Sequence, residues 1–312
     1  MKSKSGVGHA VALFTVVVWG TTFISTKVLL RSFQPVEILL IRFVIGYVLL
    51  FLAKPGLVRL TEKKQEWLFA AAGLCGVCLY FLMENIALTY TLASNVGVII
   101  SVAPFFTAIL SRIFLKEKGQ MKASFFLGFV AAIIGICMMS FSGAETLELN
   151  PKGDLLSVGA AFVWACYSVI TKKISEYGYS TIKVTRHMFG YGILFMIPAA
   201  FAFDFHLGLS RLADPMNLLN ILFLGAGASA LCFVTWNFAV QVLGPVRTSV
   251  YIYASPVITI VTSVLILHEK ITPVAAAGAA LTLVGLVLSE GKLELKSSPN
   301  KQSVGEIEGE CR

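Results

Sequence analysis

Charged residues are scarce in this sequence. Asp, Glu, Lys and Arg make up 13% of its 312 residues, about half of the roughly 25% that is usual in globular domains. Hydrophobic residues reach 57%, and the mean hydropathy is +0.82. This composition excludes a soluble domain, a solvated disordered chain, a collagen-like fibre and a disulfide scaffold. It predicts an all-α integral membrane protein.

Motifs of enzymatic and energy-coupling chemistry are also missing. The chain has no H-E-x-x-H, no G-x-S-x-G and no G-x-x-x-x-G-K-[ST] sequence, which are typical of zinc peptidases, serine hydrolases and nucleotide-binding loops. Its single C-x-x-C, formed by Cys75 and Cys78, lies in an apolar stretch, where thiols act as small hydrophobic side chains. We therefore expect no enzyme activity, no cofactor and no metal site.

Ten apolar runs are each long enough for a membrane-spanning helix, which needs about 20 residues. Their predicted ranges are 9–29, 36–53, 67–88, 95–115, 121–141, 154–174, 182–203, 217–240, 247–267 and 272–290. If the N-terminus is cytoplasmic, 18 of the 25 Lys and Arg residues fall in inner segments and four in outer loops. Because cytoplasmic loops carry the excess of Lys and Arg, this predicts a multi-pass cell-membrane protein with both termini cytoplasmic. The positive residues form short clusters between the runs, so the net charge of +8 does not indicate a nucleic-acid partner.

The two halves of the chain share sequence landmarks in the same order, at offsets of 144 to 152 residues. The matches are Val18-Trp19-Gly20 with Val163-Trp164-Ala165, Arg42 with Arg186, Asn85 with Asn237, Pro104 with Pro256, Glu117-Lys118 with Glu269-Lys270, and Gly128 and Gly135 with Gly278 and Gly285. So many matches in one order indicate a duplication.

Each predicted half has five helices, and an odd number places the second half in the opposite orientation. The predicted architecture is therefore ten transmembrane helices in two inverted five-helix repeats. The predicted divisions are a cytoplasmic N-terminus (1–8), a first repeat (9–141), an outer linker (142–153), a second repeat (154–290) and a disordered cytoplasmic tail (291–312). Inverted repeats are typical of secondary transporters, whose substrates bind near the midplane between the halves.

Several motifs resemble the EamA family of the drug/metabolite transporter superfamily. They are W-G-x-x-F-x-x-x-K from Trp19, Arg42 in the second span, Pro104-Phe105-Phe106-Thr107 to Leu115-Lys116-Glu117-Lys118, and Ser255-Pro256 to Leu267-His268-Glu269-Lys270. The resemblance covers residues 9–290. It implies a ten-helix exporter or importer of small metabolites, often amino acids or related compounds. It also implies that the fifth and tenth helices, which are rich in small residues, pack away from the central cavity. Ala165 and Trp236 depart from the repeat, because the first half has Gly20 and Glu84 there.

Aromatic residues and prolines near the middle of the predicted spans are candidates for a substrate cavity. Trp19 and Trp164 are each about the eleventh residue of a span, too deep for interfacial anchors, so they either pack in the core or line a pocket. Pro104 and Pro256 are each about the tenth residue. Each is either a structural kink or a hinge beside the cavity. The other side chains expected in the cavity are Thr22, Tyr167, Tyr251 and Tyr253.

Charged and amide side chains inside the spans are the second group of candidates, because charge within the bilayer costs a few kcal/mol. We expect Lys27, Arg42 and Glu84 at a common depth, with Glu84 neutralised by one of the two cations. The contact is either a static ion pair or part of a cycle in which Glu84 takes up a proton. The further polar candidates are Asn85, Arg186 and Asn237. The two Glu-Lys pairs that begin at Glu117 and Glu269 are interpreted as contacts at helix ends.

These observations predict a secondary transporter of small organic metabolites, exporting amino acids or related compounds by alternating access. Its predicted partners are a small-molecule substrate, the lipid bilayer and a coupling proton if Glu84 titrates. One alternative is proton-coupled efflux of lipophilic or cationic drugs, with Glu84 as the counter-charge. The other alternative is an intramembrane enzyme.

Overall fold

The chain folds into helices. The structure, a computed structural model, describes residues 2–116, 123–141, 151–203, 205–206 and 208–290, and within these ranges it contains no β-strand. The long helical segments are α1 (Lys2–Leu29), α2 (Pro35–Ala53), α3 (Lys63–Tyr90), α4 (Ala93–Phe114), α5 (Ala123–Phe141), α6 (Pro151–Ser175), α7 (Thr181–Ala202), α8 (Pro215–Leu243), α9 (Pro245–Leu267) and α10 (Pro273–Glu290). A short 3₁₀ helix, Leu209–Ala213, precedes α8.

Seven of these segments are long and apolar enough to cross a membrane, namely α1, α2, α3, α4, α6, α8 and α9. The segments α5 and α10 contain shorter apolar stretches, Phe126–Gly135 and Pro273–Gly285. The prediction of an all-helical membrane protein is thus confirmed, and each predicted apolar run coincides with one helix. The largest differences are at three helix starts, because α1 begins at Lys2, α3 at Lys63 and α6 at Pro151. The starts of α1 and α6 lie inside the predicted N-terminal segment and linker. Residues 142–150 and 291–312 lie outside the described residues.

The helices of the two halves pack against each other rather than as separate units. The helix α1 packs on α8 and α9, whereas α6 packs on α3 and α4. The helix α2 contacts both α7 and α8. The main hydrophobic core includes Phe43 and Phe81 from the first half with Phe189 and Phe233 from the second. We call the end of the bundle where α1 begins the near end, and the opposite end the far end.

Helix irregularities recur in both halves. The helix α3 contains the π-helical turn Leu74–Leu79, and α8 contains a longer one, Phe223–Leu231. The helix α4 is interrupted just before Pro104, and α9 becomes a 3₁₀ helix just before Pro256. Both prolines lie in the first turn of the helical piece that follows, where a missing N–H breaks no helical hydrogen bond. Each proline therefore marks a break in its helix.

The helices α5 and α10 form a close pair, and α10 packs almost entirely on α5. A Cβ atom added to Gly135 would lie 2.5 Å from the Gly278 carbonyl oxygen, and one added to Gly285 would lie 2.5 Å from the Gly128 carbonyl oxygen. Only glycine permits such close approach of two backbones. The expected packing of the fifth helix on the tenth is confirmed.

Candidate functional site

A small cavity lies in the core, where helices of both halves meet. Its volume is about 30 Å³, which is room for about two water molecules. It is lined by Val16, Trp19, Thr22, Phe23, Tyr80, Phe81, Glu84, Ile100, Trp164, Ile252 and Ser255. A metabolite does not fit this volume, so binding one requires the surrounding helices to move apart.

The two tryptophans matched by the repeat meet at this cavity. The ring centroids of Trp19 and Trp164 are 5.1 Å apart in an edge-to-face arrangement, and Tyr80 lies 4.8 Å from Trp164. The Trp19 indole N–H donates to the Ala228 carbonyl oxygen at 3.0 Å. The Trp164 indole nitrogen is buried and has no hydrogen-bond partner among the described residues. The two side chains thus both pack in the core and line the cavity.

Glu84 provides the cavity's acidic group. The residue is 1% exposed, and its Oε1 atom has no hydrogen-bond partner in the described part of the chain. The Tyr80 side chain, one helical turn earlier, interacts electrostatically with the carboxyl group. One carboxylate oxygen therefore remains available to a ligand.

Neither Lys27 nor Arg42 forms the expected close ion pair with Glu84. The ion pairs found at other places join His187 to Glu66 and Arg211 to Glu37. The Lys27 ammonium donates instead to the carbonyl oxygens of Leu88 at 2.5 Å and Thr91 at 2.7 Å. These groups lie at the end of α3, where helix carbonyls lack partners of their own and attract cations.

Arg42 lies behind the cavity wall. It is fully buried, its Nε donates to the Ser229 hydroxyl at 3.0 Å, and its guanidinium carbon lies 4.4 Å from the centre of the Phe81 ring. Arg42 itself does not line the cavity, and its Nη1 and Nη2 atoms are buried without a hydrogen-bond partner among the described residues. The guanidinium still acts on Glu84 through longer-range electrostatics.

The remaining predicted residues are placed outside the cavity lining. The Tyr167 hydroxyl donates to the Asn237 amide oxygen at 2.6 Å, and the Asn237 amide donates to Thr185. Tyr251 is 2.7 Å from a ring nitrogen of His9. The other contacts are Asn85 to the Pro35 carbonyl, and Arg186 to the carbonyls of Lys54 and Gly56. Of the residues expected in the cavity, Trp19, Thr22 and Trp164 line it, and Tyr167, Tyr251 and Tyr253 do not.

Tyr80, Phe81 and Ser255 line the cavity but were absent from the sequence candidates. The spacing of Tyr80 four residues before Glu84 places both on one face of α3, and this signal could have identified it. Ser255 could have been found as the neighbour of Pro256. No group of three or more His, Cys, Asp or Glu residues in the described ranges is placed to hold a metal ion.

Glu269 joins the two halves at the far end. Its carboxylate accepts from the backbone N–H groups of Ala93 at 2.9 Å and Ser94 at 3.3 Å, and from the Ser94 hydroxyl at 2.8 Å. It therefore caps the start of α4, where helix N–H groups are unpaired and favour a negative charge. Glu269 is thus more than the contact at a helix end that the sequence predicted, because it joins two helices. The matching residue of the first half, Glu117, lies outside the described residues. We call the contacts of Lys27 and Glu269 with residues 88–94 the far-end cap.

A second far-end contact was not predicted. The Arg211 guanidinium makes a two-pronged ion pair with Glu37, with both N–O distances 2.9 Å. Glu37 is 2% exposed and also accepts from the Gln34 backbone N–H. The hydrogen bonds that Arg211 donates to the Glu37 carboxylate raise the pKa of Arg211. This pair fastens the start of α2 to the segment before α8.

Comparisons with known proteins agree with the motifs. A family model described as EamA-like transporter family matches residues 6–141 and again residues 151–290. An uncharacterized transporter of Archaeoglobus fulgidus is 27% identical over 299 residues, 94% of this chain and 99% of that protein. A probable terminal-alkyne amino-acid exporter of Streptantibioticus cattleyicolor is 26% identical over 88% of this chain and 91% of its own. A solved crystal structure covers 90% of this chain and 96% of its own, with a TM-score of 0.64 and 19% identity, and so shares the fold.

Proposed function

We propose, since this chain belongs to the EamA-like transporter family, that it exports small organic metabolites as a secondary transporter working by alternating access. Amino acids and related compounds are the first candidates, because one relative is named as an amino-acid exporter. The observation that carries the proposal is the buried aromatic cavity, which both halves line and which contains Glu84. Such midplane cavities between repeats are where secondary transporters bind substrates.

The proposal includes ten membrane-spanning helices in two inverted repeats, with α5, α7 and α10 as the further spans. Three observations support it. The family model matches twice, and the packing of α1 on α8 mirrors that of α6 on α3. Lys116 and His268, 152 residues apart, both adopt left-handed backbone conformations with φ of 53° and 54°. By the distribution of Lys and Arg, the near end faces the cytoplasm of a cell membrane.

Alternating access requires contacts that can break at either end of the bundle. The far-end cap is one such contact, and the hydrogen bond between His9 and Tyr251 is a candidate at the near end. Because the cavity is too small for a metabolite, either the far-end cap or the near-end contact must break before substrate enters. Symmetric halves can exchange the two arrangements at low energetic cost.

A thermal-unfolding screen of the purified protein against a metabolite panel tests this proposal. A ligand at about 100 times its dissociation constant adds about 2.7 kcal/mol to the free energy of unfolding. We expect a shift for one chemical class that is lost in the Trp19→Ala/Trp164→Ala double variant. Trp67→Ala is the matched control, because Trp67 is 79% exposed. A shift that persists in the double variant would move the binding site away from this cavity.

A second candidate function is proton-coupled efflux of lipophilic cations, favoured by the position of Glu84 in an aromatic cavity. The ionisable groups that act electrostatically on Glu84 are Tyr80, on the same helix, and Arg42, whose guanidinium lies over the Phe81 ring. If Glu84 carries the coupling proton, Glu84→Gln should abolish transport driven by a pH gradient and remove its pH dependence. Proteoliposome uptake at several pH values measures both. An unchanged rate and pH profile would exclude Glu84 as the proton carrier.

A further inference from the structure

We infer that the cavity recognises an organic ammonium ion and discriminates against compounds that also carry a carboxylate. The inference rests on the proposed transport function and names the substrate class of the same cavity. Within the proposed class of amino acids and related compounds, it predicts that the preferred substrates are the related amines whose acid group is absent or blocked.

The cavity lining has an acidic residue but no basic one. Glu84 is its acidic residue, and among the described lining residues there is no Lys, Arg or His. Lys27 is engaged by two backbone carbonyls at the end of α3. Arg42 lies outside the lining, with its Nε on Ser229 and its two Nη atoms without partners among the described residues. A bound carboxylate would therefore find no cation in the cavity lining itself, and an unpaired buried carboxylate is strongly disfavoured.

An ammonium group finds two kinds of partner in the same place. The unpartnered Oε1 atom of Glu84 can accept a charge-assisted hydrogen bond from it. The aromatic rings of Trp19, Trp164 and Tyr80 surround this part of the cavity, and aromatic faces attract cations, most strongly where water is excluded.

The Trp164 indole N–H is an uncharged hydrogen-bond donor, and it suits an uncharged acceptor on the ligand. Trp164 is 3% exposed, and its indole nitrogen has no hydrogen-bond partner among the described residues. It can donate one hydrogen bond to an amide carbonyl, an ester or a hydroxyl group, but it supplies no formal charge to balance a carboxylate.

The sequence repeat places the charge in one half only. The position equivalent to Glu84 in the second half is Trp236, which is fully buried and lies 5.1 Å from Trp19, centroid to centroid. Trp236 is not among the residues that line the cavity, to which the first half supplies the anionic group and the second half supplies the Trp164 ring. This arrangement suits one cationic group attached to an apolar body.

A matched ligand series on the unaltered protein tests the inference without any variant. The probes are 2-phenylethylamine, phenylalanine amide, phenylalanine and 3-phenylpropionate, which share one ring and differ in charge. Dissociation constants come from thermal-unfolding shifts or intrinsic tryptophan fluorescence. We expect the amine and the amide to bind at least about tenfold more tightly than phenylalanine, and the acid to give no shift. Tetraphenylphosphonium is added to distinguish a general lipophilic-cation site from an ammonium site.

Glu84→Gln then assigns the effect to the carboxylate. We expect it to weaken both amines by about tenfold or more and to leave the weak binding of 2-phenylethanol, a neutral probe, unchanged. Retained binding of 2-phenylethanol shows that the variant is folded.

Three results would overturn the inference. They are equal binding of phenylalanine and its amide, full retention of amine binding in Glu84→Gln, and a response to tetraphenylphosphonium alone. A shift produced by other metabolites but by none of the ammonium probes would overturn the inference and leave the proposed transport function standing. Absence of any shift across the whole metabolite panel would count against both.

Discussion

Gly76→Ala is expected to destabilise the protein by about 3 kcal/mol, because overpacking at a rigid contact has costs of this size. A Cβ atom added to Gly76 would lie 2.2 Å from the Tyr167 ring. That ring cannot easily move, because Tyr167 is fully buried and its hydroxyl is hydrogen-bonded to Asn237. Relieving the clash therefore means separating α3 from α6 or breaking that hydrogen bond.

Gly227→Ala is the matched control for this prediction. Gly227 lies in the π-helical turn of α8, as Gly76 lies in that of α3, but its nearest neighbour for an added Cβ is a Phe223 ring atom at an ordinary 3.5 Å. We expect its thermal stability in detergent to change by less than about 0.5 kcal/mol. Equal stability of the two variants would show that α3 and α6 adjust freely at this contact.

Glu269→Ala is expected to shift the protein towards a conformation that is open at the far end. The substitution removes three hydrogen bonds to the start of α4, each worth about 1 kcal/mol net. A loss of about 2 to 3 kcal/mol from the closed arrangement corresponds to roughly a 30-fold to 150-fold change in population. Glu269→Gln should have a smaller effect, because its amide oxygen can still accept from one N–H group.

The population change can be measured by chemical labelling. A single cysteine introduced as Thr22→Cys reports on the cavity, after the native cysteines have been replaced by serine. We expect a membrane-impermeant maleimide to label it faster from the far side in Glu269→Ala. Lys270→Ala is the control, because Lys270 is exposed and adjacent to Glu269. If the labelling rates match in the two backgrounds, the cap stabilises α4 without controlling access.

The helices and the choice of Trp19 and Trp164 as cavity candidates followed from the sequence, for different reasons. Helix ranges were predictable because a bilayer demands apolar runs of a fixed length. The two tryptophans were candidates because each lies near the middle of an apolar run and they match in the repeat, but their direct contact was not predicted. Composition and the repeat were sufficient for these predictions. Neither the range of a helix nor the depth of a residue within it depends on which hydrogen-bond partner a side chain finds.

The hydrogen-bond partners of the charged and polar side chains could not be predicted from the sequence. Glu84 was expected to be neutralised by Lys27 or Arg42, yet Lys27 binds the carbonyls of Leu88 and Thr91. Glu269 binds N–H groups that lie about 175 residues earlier in the chain, and Tyr167 contacts Asn237 rather than the cavity. Backbone groups at helix ends compete for charged side chains, and their identity at each end is fixed only when the helices are packed.

The close pairing of α5 with α10 also has a consequence for biosynthesis. The glycines that meet are Gly135 with Gly278 and Gly128 with Gly285, which are 143 and 157 residues apart, so the ribosome produces α10 roughly 7 to 30 s after α5, at about 5 to 20 residues per second. During that interval the glycine-containing face of α5 has only lipid or the insertion machinery against it. The first half thus remains incomplete on one side until the last helix is inserted. Final assembly of the bundle is therefore a late event, tied to the end of translation.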